Sequence, residues 1–410
     1  MLLAQKKAFD QIPTILEQGI KAKAFPGCQV LILKDGKVLY EQYAGTIAYE
    51  SAQKVDSNTI YDLASLTKTT GTLLALMRLY DEKKLGLSDS LAQFLPFLKN
   101  TDKGQLTLQE LLLHESGLPA SLSGYDLLLE KMPKSTLLED TLQPFQPNNP
   151  NYRFKAGWLS TIPLDEYALP VTNNMYAATR LKDSALARIA RIKLRKKQYV
   201  YSCINFILLK EVVERVSKCP IDRFLDSVFY MPMGASSISY LPLRKHNMDR
   251  IAPSLKSDFL RSGSIRGYVH DPDAAFLGGV AGNAGLFATA WDVAKVHQLF
   301  LNKGLFEGKR YLSAETCTLF TSTKSKSSRR VLGFDKPNTA NPANSPCSVS
   351  TPAQAYGHTG YTGTCCWVDP VNKVVYVFLS NRTYPNDGVN KLAKMNIRTQ
   401  IQELIYQSLK

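Results

Sequence analysis

The sequence predicts an α+β fold: one antiparallel sheet formed by both chain ends and flanked by helices, with a large, mainly helical subdomain inserted between them. Three observations predict it. Each end carries two strand-like runs joined by a turn, each end carries one amphipathic helix, and the stretch between them is mostly helical in its spacing. The expected organisation is a single domain over residues 1–410, its α/β part at about 1–85 and 352–410 and its mainly helical part at about 86–351.

In chain order, Gln5 to Lys23 has helical periodicity, with Phe9, Ile12, Ile15, Leu16 and Ile20 on one side. Strands are expected at Gln29–Leu33 and Lys37–Tyr43, across an Asp35-Gly36 hairpin turn. A short extended run ends at Ala64. After Ser65, the residues Leu73, Leu74, Leu76, Met77, Leu79 and Tyr80 put apolar groups on nearly every side, which predicts a helix buried all round. Leu106–His114 reads as a short helix opened by a Thr107 cap and stopped by Ser116-Gly117-Leu118-Pro119. Gln143–Tyr176, rich in Pro, Asn and aromatics, reads as an irregular surface excursion.

A basic helix is expected from Lys182 to Lys197 and another helix from Asn205 to Val216. Gly278–Gly285 is glycine-rich but lacks the Lys-Ser/Thr ending of a phosphate loop, so close backbone packing is the expectation. A helix capped by Thr289 follows, with Asp292 in its first turn. Thr321–Thr351 reads as an exposed loop. Strands at Tyr361–Val368 and Val374–Ser380 and a helix at Asn390–Leu409 close the chain.

Bulk properties narrow the function. With 44% hydrophobic and 21% charged residues the chain is globular. No apolar run reaches the ~18 residues of a membrane span. Met1–Lys7 turns amphipathic at once and has no signal-peptide core, which leaves a cytoplasmic protein or one whose export signal has been removed. The net charge of +15 favours anionic ligands. No zinc-finger spacing, basic zipper or aromatic-interleaved basic strand supports nucleic acid as that ligand. The seven cysteines form no two-residue-spaced pair and the five histidines lack ligand spacing, so neither metal nor cofactor is expected.

Chemistry gathers at three places. Ser65 and Lys68 lie one turn apart at the start of the buried helix, where a desolvated amine can take a hydroxyl proton and free N–H groups can hold an oxyanion. Ser51 and Lys54 share the spacing but have no apolar helix behind them. The alternative for Ser65 is a helix N-cap. Tyr201-Ser202-Cys203 stands just before a helix, where a phenol is placed to shuttle protons beside a lysine. His358-Thr359-Gly360 opens the predicted strand from Tyr361. Its glycine leaves room for substrate backbone, and the Tyr361 N–H is a second oxyanion donor.

Taken in this order, Ser65-x-x-Lys68, Tyr201-Ser202-x and His358-Thr359-Gly360 resemble the three signature elements of the serine beta-lactamase and penicillin-binding-protein superfamily. The branch resembled holds class C beta-lactamases, D-alanyl-D-alanine carboxypeptidases, D-aminopeptidases and esterases. Leu106–Pro119, Gly282–Phe287 with Thr289 and Asp292, Leu332–Asp335 and Leu379–Arg382 are similar to further family stretches, and the likeness runs from about residue 8 to 408. It implies an acyl-enzyme at Ser65, a proton shared between Lys68 and Tyr201, an oxyanion hole from the N–H groups of Ser65 and Tyr361, and substrate binding by Cys203, Asn205, His358, Thr359 and Gly360.

Two departures bear on the substrate. Cys203 stands where many relatives carry Asn or Asp, and a thiol binds a substrate amide poorly. Asn205, two residues on, is the candidate substitute. His358 stands where class C beta-lactamases commonly carry Lys, which weakens the grip on a carboxylate near pH 7. Both point away from a dedicated beta-lactamase. The expected activity is hydrolysis of an amide or ester in a cell-wall-derived peptide, by a DD-peptidase, D-aminopeptidase or esterase-like enzyme, and the +15 charge with the basic helix before Tyr201 suits an acidic substrate. Such relatives are usually exported. The module also resembles one fused behind glycoside hydrolases in some bacterial proteins, so such a hydrolase is an expected partner. The competing reading is a binding module that kept the fold and lost turnover through Cys203.

Overall fold

The computed structural model describes residues 8–132 and 145–409. The segment Met1–Lys7, which includes the start of the expected first helix, and Gln143–Pro144 lie outside the described residues. Helix α1 (Ile12–Lys21) leads into the hairpin β1 (Gly27–Lys34) and β2 (Lys37–Gly45). Asp35 and Gly36 both take positive φ, the geometry that lets a two-residue turn follow the strand twist. The buried α2 (Leu73–Asp81), α3 (Cys203–Ser217) and α4 (Ala290–Leu301) come next. The chain closes with β3 (Tyr356–Thr359), β4 (Cys365–Asp369), β5 (Val374–Ser380) and helix α5 (Ile397–Ser408).

Both ends do build one sheet. Its order is β3-β4-β5-β1-β2, antiparallel throughout, with Cys28 opposite Ser380 and Val30 opposite Phe378. Alternation along β1 shows why its sequence is a continuous apolar run. Val30 and Ile32 pack toward α1 and α5 with Phe25, Trp367 and Phe378, whereas Leu31 and Leu33 face the core shared with α2 and α4. A strand covered on both faces has no polar side to show. Each such side chain contributes roughly 1.5–3 kcal/mol by burial.

The region between the sheet halves is less purely helical than its sequence suggests. The expected surface excursion carries short strands at Tyr152–Phe154, Leu159–Ser160, Leu169–Thr172 and Met175–Ala177 rather than irregular chain alone. The basic helix ends early: it runs Arg180–Arg191, because Ile192 turns to extended backbone. Asp102 then takes the Leu194 N–H at 3.0 Å and Gly117 the Arg195 N–H at 3.0 Å. The predicted strand from Tyr361 also begins later. His358 and Thr359 end β3, and residues 360–364 make a tight turn closed by Gly360 N–H to Thr364 O at 2.7 Å.

The glycine-rich segment packs backbone on backbone. A Cβ on Gly282 would lie 1.9 Å from the Phe206 carbonyl oxygen, and the Gly282 carbonyl accepts Thr72 Oγ1 at 2.8 Å. Gly282→Ala is expected to lower stability by roughly 1–3 kcal/mol, because a helix carbonyl cannot step aside as a side-chain tip can. An unchanged midpoint in urea unfolding would contradict this contact.

Candidate active site

The segment that carries Ser65 begins with a strained step. Ala64, just before Ser65, takes φ +46, and Asp62 Oδ1 holds its N–H at 2.7 Å. Leu63 N–H bonds to Leu286 O at 2.9 Å, so the segment is pinned to the strand that follows the glycine-rich run. Beyond Ser65 the chain makes a wide π-helical turn, Lys68–Thr72, before α2 begins, a variant often found at functional sites. Lys68 is fully buried within it.

Ser65 Oγ meets two groups that carry mobile protons. Lys68 Nζ lies 3.0 Å away and the Tyr201 hydroxyl donates to it at 2.9 Å. Lys68 also donates to the Asn283 carbonyl at 2.9 Å and points at Cys203 Sγ at 3.6 Å. Ser65 is thus engaged by the lysine and the phenol rather than acting as a helix cap. Burial presses Lys68 toward neutrality, whereas Cys203 and Tyr201, which attract it only when one of them has lost its proton, push its basicity above the ordinary range. The proton therefore belongs to the cluster, and Lys68 alone is not the neutral base its burial suggested.

Tyr201 is held by a turn that ordinary sequence reading assigns to the core. His114 Nδ1 accepts the Ser202 N–H at 3.0 Å and the His114 carbonyl accepts the Val200 N–H at 2.9 Å. Its ring lies 4.6 Å from that of Tyr201. Burial keeps His114 neutral, its basicity well below the ordinary range, so it positions Tyr201 without adding charge. Pro119 and Ala120 carbonyls bind Ser202 Oγ at 2.6 Å and Cys203 N–H at 2.8 Å.

The turn after β3 is drawn onto the segment that leads to Ser65. Thr362 Oγ1 donates to Asp62 O at 2.7 Å and Thr364 Oγ1 to Leu63 O at 3.0 Å. Gly360 is required there, since a Cβ would meet Thr364 Oγ1 at 2.0 Å and Leu63 O at 2.5 Å. These contacts tie the turn that carries Tyr361 to the strand just before Ser65. Within the described residues, neither the Ser65 nor the Tyr361 N–H makes a backbone hydrogen bond.

Asn205 does not face the serine. Its amide is fully occupied inside the protein, accepting from Ser116 Oγ at 2.7 Å and donating to Leu111 O at 3.1 Å, so it is no stand-in at the Cys203 position. Its place in the first turn of α3 gives no hint of that. Cys203 itself is a poor anion, its thiol pushed up by burial despite Lys68.

His358 carries no charge either: burial and neighbouring Arg330 push it down to about 3. Its Nδ1 contacts Thr359 O at 2.7 Å and its Nε2 faces Arg330 Nη1 at 3.3 Å, an arrangement satisfied by a proton on Nδ1. The buried cation here is Arg330, which sequence reading places in an exposed loop. Arg330 bonds Tyr199 and Asp335 and lies 5.0 Å from the Tyr201 ring centroid. Arg329 takes Asp335 in bidentate fashion at 2.7 and 2.8 Å, so this carboxylate serves two guanidiniums and one positive charge is left over. The charged pair Arg-Arg before the apolar Val331-Leu332 is the one available signal.

The sheet, the buried helix and the serine–lysine–tyrosine cluster together define a serine hydrolase of acyl-transfer type. The Beta-lactamase family model matches residues 12–398, and the chain belongs to that family. A relative from Escherichia coli (strain K12), named "Putative D-alanyl-D-alanine carboxypeptidase", is 30% identical over 388 residues, covering 88% of this chain and 79% of the relative. Two solved structures share the fold with a TM-score of 0.66. One is "EstCE1, a hydrolase with promiscuous acyltransferase activity", at 18% identity over 98% of this chain and 100% of the other. The second is a penicillin-binding protein homolog from Caulobacter crescentus, at 17% identity over 98% and 97% of the two chains.

Two measurements test the site. Tyr201→Phe keeps the ring on His114 but removes the proton carrier, and is expected to lower kcat by ~10²–10⁴ with little change in stability. A loss below about threefold would remove Tyr201 from the chemistry. The His358 imidazole signals are expected not to titrate between about pH 8 and 5. The unfolded chain takes up this proton near 6.5 and the folded protein near 3, so this contribution to stability is whole above 6.5 and is lost as pH falls toward 3. A midpoint near 6.5 in the folded protein would contradict the burial argument.

Proposed function

We propose that this protein is a carboxypeptidase-like serine hydrolase that cleaves a cell-wall-derived peptide ending in a free carboxylate, rather than a dedicated beta-lactamase. The carrying observation is Arg330, a buried guanidinium beside neutral His358 at the end of the strand where substrate backbone would lie. A leaving amino acid has a carboxylate for that cation to hold. The name borne by the Escherichia coli relative supports the same class, and relatives acting on cell wall favour an exported protein.

The reactive state is the one in which the Lys68–Tyr201 pair has given up one proton. Ser65 Oγ then attacks the carbonyl carbon while its proton passes to that pair. The Ser65 and Tyr361 N–H groups hold the oxyanion. Collapse breaks the C–N bond, and Tyr201 delivers the proton to the departing amine. Water attacks the acyl carbon and loses its proton to the same pair; the ester C–O bond then breaks, that proton returns to Ser65 Oγ, and the acid leaves. Thr359 and Arg330 hold the leaving group's carboxylate.

The test compares a peptide ending in D-Ala-D-Ala with its C-terminal amide. The wild type is expected to prefer the free acid, and Arg330→Gln to reduce that preference by about 10–100-fold in kcat/KM, the worth of a hydrogen bond to a charged group. Equal rates on acid and amide in the wild type would sink the carboxypeptidase reading.

Cys203 favours a second reading, a binding module with little turnover. A fluorescent penicillin and a fluorophosphonate separate the two, since an active site gains their mass on Ser65 and Ser65→Ala gains none. If neither probe labels the wild type, the binding-module reading stands. Cys203→Asn is expected to raise turnover of a peptide substrate, because an amide donates and accepts where the thiol does neither well. No gain would show that this position does not limit the rate.

A further inference from the structure

The basic residues that follow the helix Arg180–Arg191 lie on an extended segment that the fold pins in place. Asp102 and Gly117 take the Leu194 and Arg195 N–H groups, and the Ile192 carbonyl accepts Lys103 Nζ. Side chains of an extended chain alternate in direction. Ile192 and Leu194 are accordingly half-buried, whereas Lys193 and Arg195 are exposed, as are Lys196 and Lys197. The segment leads to Tyr199, whose hydroxyl meets Arg330 Nε at 3.0 Å.

A second basic segment reaches the same arginine along the chain, with Lys324 and Lys326 exposed and Arg329 immediately before Arg330. The turn at residues 115–117 ties the two segments together. Glu115 Oε1 accepts Ser325 Oγ at 2.5 Å and Ser327 Oγ at 2.6 Å, and the Gly117 carbonyl accepts the Arg195 N–H at 3.0 Å. The exposed cations on either side of this turn therefore share one surface.

Counter-charge is scarce on that surface. Glu110 pairs with Lys197, and Asp335 with Arg329 and Arg330. Glu115 is engaged by the two serine hydroxyls. Lys193, Arg195, Lys196, Lys324 and Lys326 make no ion pair among the described residues. Lys336 feels the same crowding: burial first, and Lys324 second, push its ammonium down to about 8. Unpaired cations gathered on two short segments create a local field that scattered surface charge does not.

We propose that the two segments form one anion-capture surface beside the active site, and that it draws in a substrate peptide bearing several carboxylates rather than the terminal one alone. The proposal rests on the carboxypeptidase-like reading for its placement. Both segments converge on Arg330, so an acidic chain captured on either is led toward the cation assigned to the terminal carboxylate. That convergence favours the substrate as occupant, since an unrelated polyanion has no use for a path to a buried guanidinium. Capture of this kind acts at a distance, raising the rate of productive encounter without entering the chemistry.

The test uses two peptides with the same D-Ala-D-Ala end, one preceded by a run of glutamates and the other by a run of glutamines. At ~10 mM salt the wild type is expected to favour the glutamate peptide by about 10-fold or more in kcat/KM, with kcat alike for both. The preference is expected to fade at ~1 M salt, where the screening length drops from ~30 Å to ~3 Å. Lys193→Gln, Lys196→Gln and Lys326→Gln combined are expected to remove most of it at low salt. The same variant should keep the wild-type kcat on the glutamine peptide, because none of the three side chains makes a hydrogen bond among the described residues. Equal kcat/KM for the two peptides at low salt, or a preference that survives the triple variant, would reject the surface and keep the hydrolase. Calorimetry on Ser65→Ala reads the preference without turnover. Tighter binding of the glutamate peptide there, lost with the three substitutions, would keep the surface even if the wild type cleaved neither peptide and the hydrolase reading fell. Inorganic polyphosphate that binds the wild type but not the triple variant, with no preference between the peptides, would give the surface to another polyanion and reject the substrate role.

Discussion

A fully buried ammonium is the constraint on which the rest of the site depends. Lys68 has no solvent to share its charge with, so every hydrogen it carries must be met by the protein. Ser65 Oγ and the Asn283 carbonyl meet two of them, and Cys203 stands where the third points. The Asn283 carbonyl can reach Lys68 only because the chain around Gly282 runs against the α3 backbone with no side chain between. Cys203 is in place because α3 starts there, strapped to the turn after His114. Packing that serves the core therefore also fixes the proton cluster, and loosening any of these contacts would leave a charge unpaired.

Much of this is legible in sequence. Local signals locate the end strands and the buried helix, because a run such as Val30 to Leu33 or Leu73 to Leu79 has few alternatives to burial. The Ser65–Lys68 spacing and Tyr201 stand out because each sits next to a helix start that its own neighbours specify. What cannot be read is tertiary. Residues 321–351 are polar in composition, yet Arg330, Leu332 and Asp335 are buried, since Asp335 draws two arginines inward. Composition reports solvation on average and says nothing of an ion pair made in the fold. Asn205 fails as a substrate group for the same reason: its partners Leu111 and Ser116 come from a helix and turn 94 and 89 residues away.

The β3 boundary misleads for a different reason. Thr359, Tyr361 and Thr362 have good strand propensity, so the run looks continuous through Gly360. The structure breaks it there because Thr362 and Thr364 turn their hydroxyls onto the carbonyls of Asp62 and Leu63. Breaking the strand frees the Tyr361 N–H from the sheet ladder. A continuous strand would have aimed that N–H by pleat alternation into the sheet plane.

Arg330 and His358 make sense as a pair. A lysine at position 358 would bring a second cation toward the place where Arg330 Nη1 now faces the histidine nitrogen at 3.3 Å. At ~4 Å, two like charges repel by about 4 kcal/mol even at an effective dielectric of about 20. Asp335 could not absorb that charge, since Arg329 and Arg330 already share it. A neutral ring that accepts from the guanidinium avoids the conflict and anchors Arg330 as well. The neutral histidine at this position therefore permits a buried cation beside it, supplied by a residue 28 positions upstream that no local pattern marks.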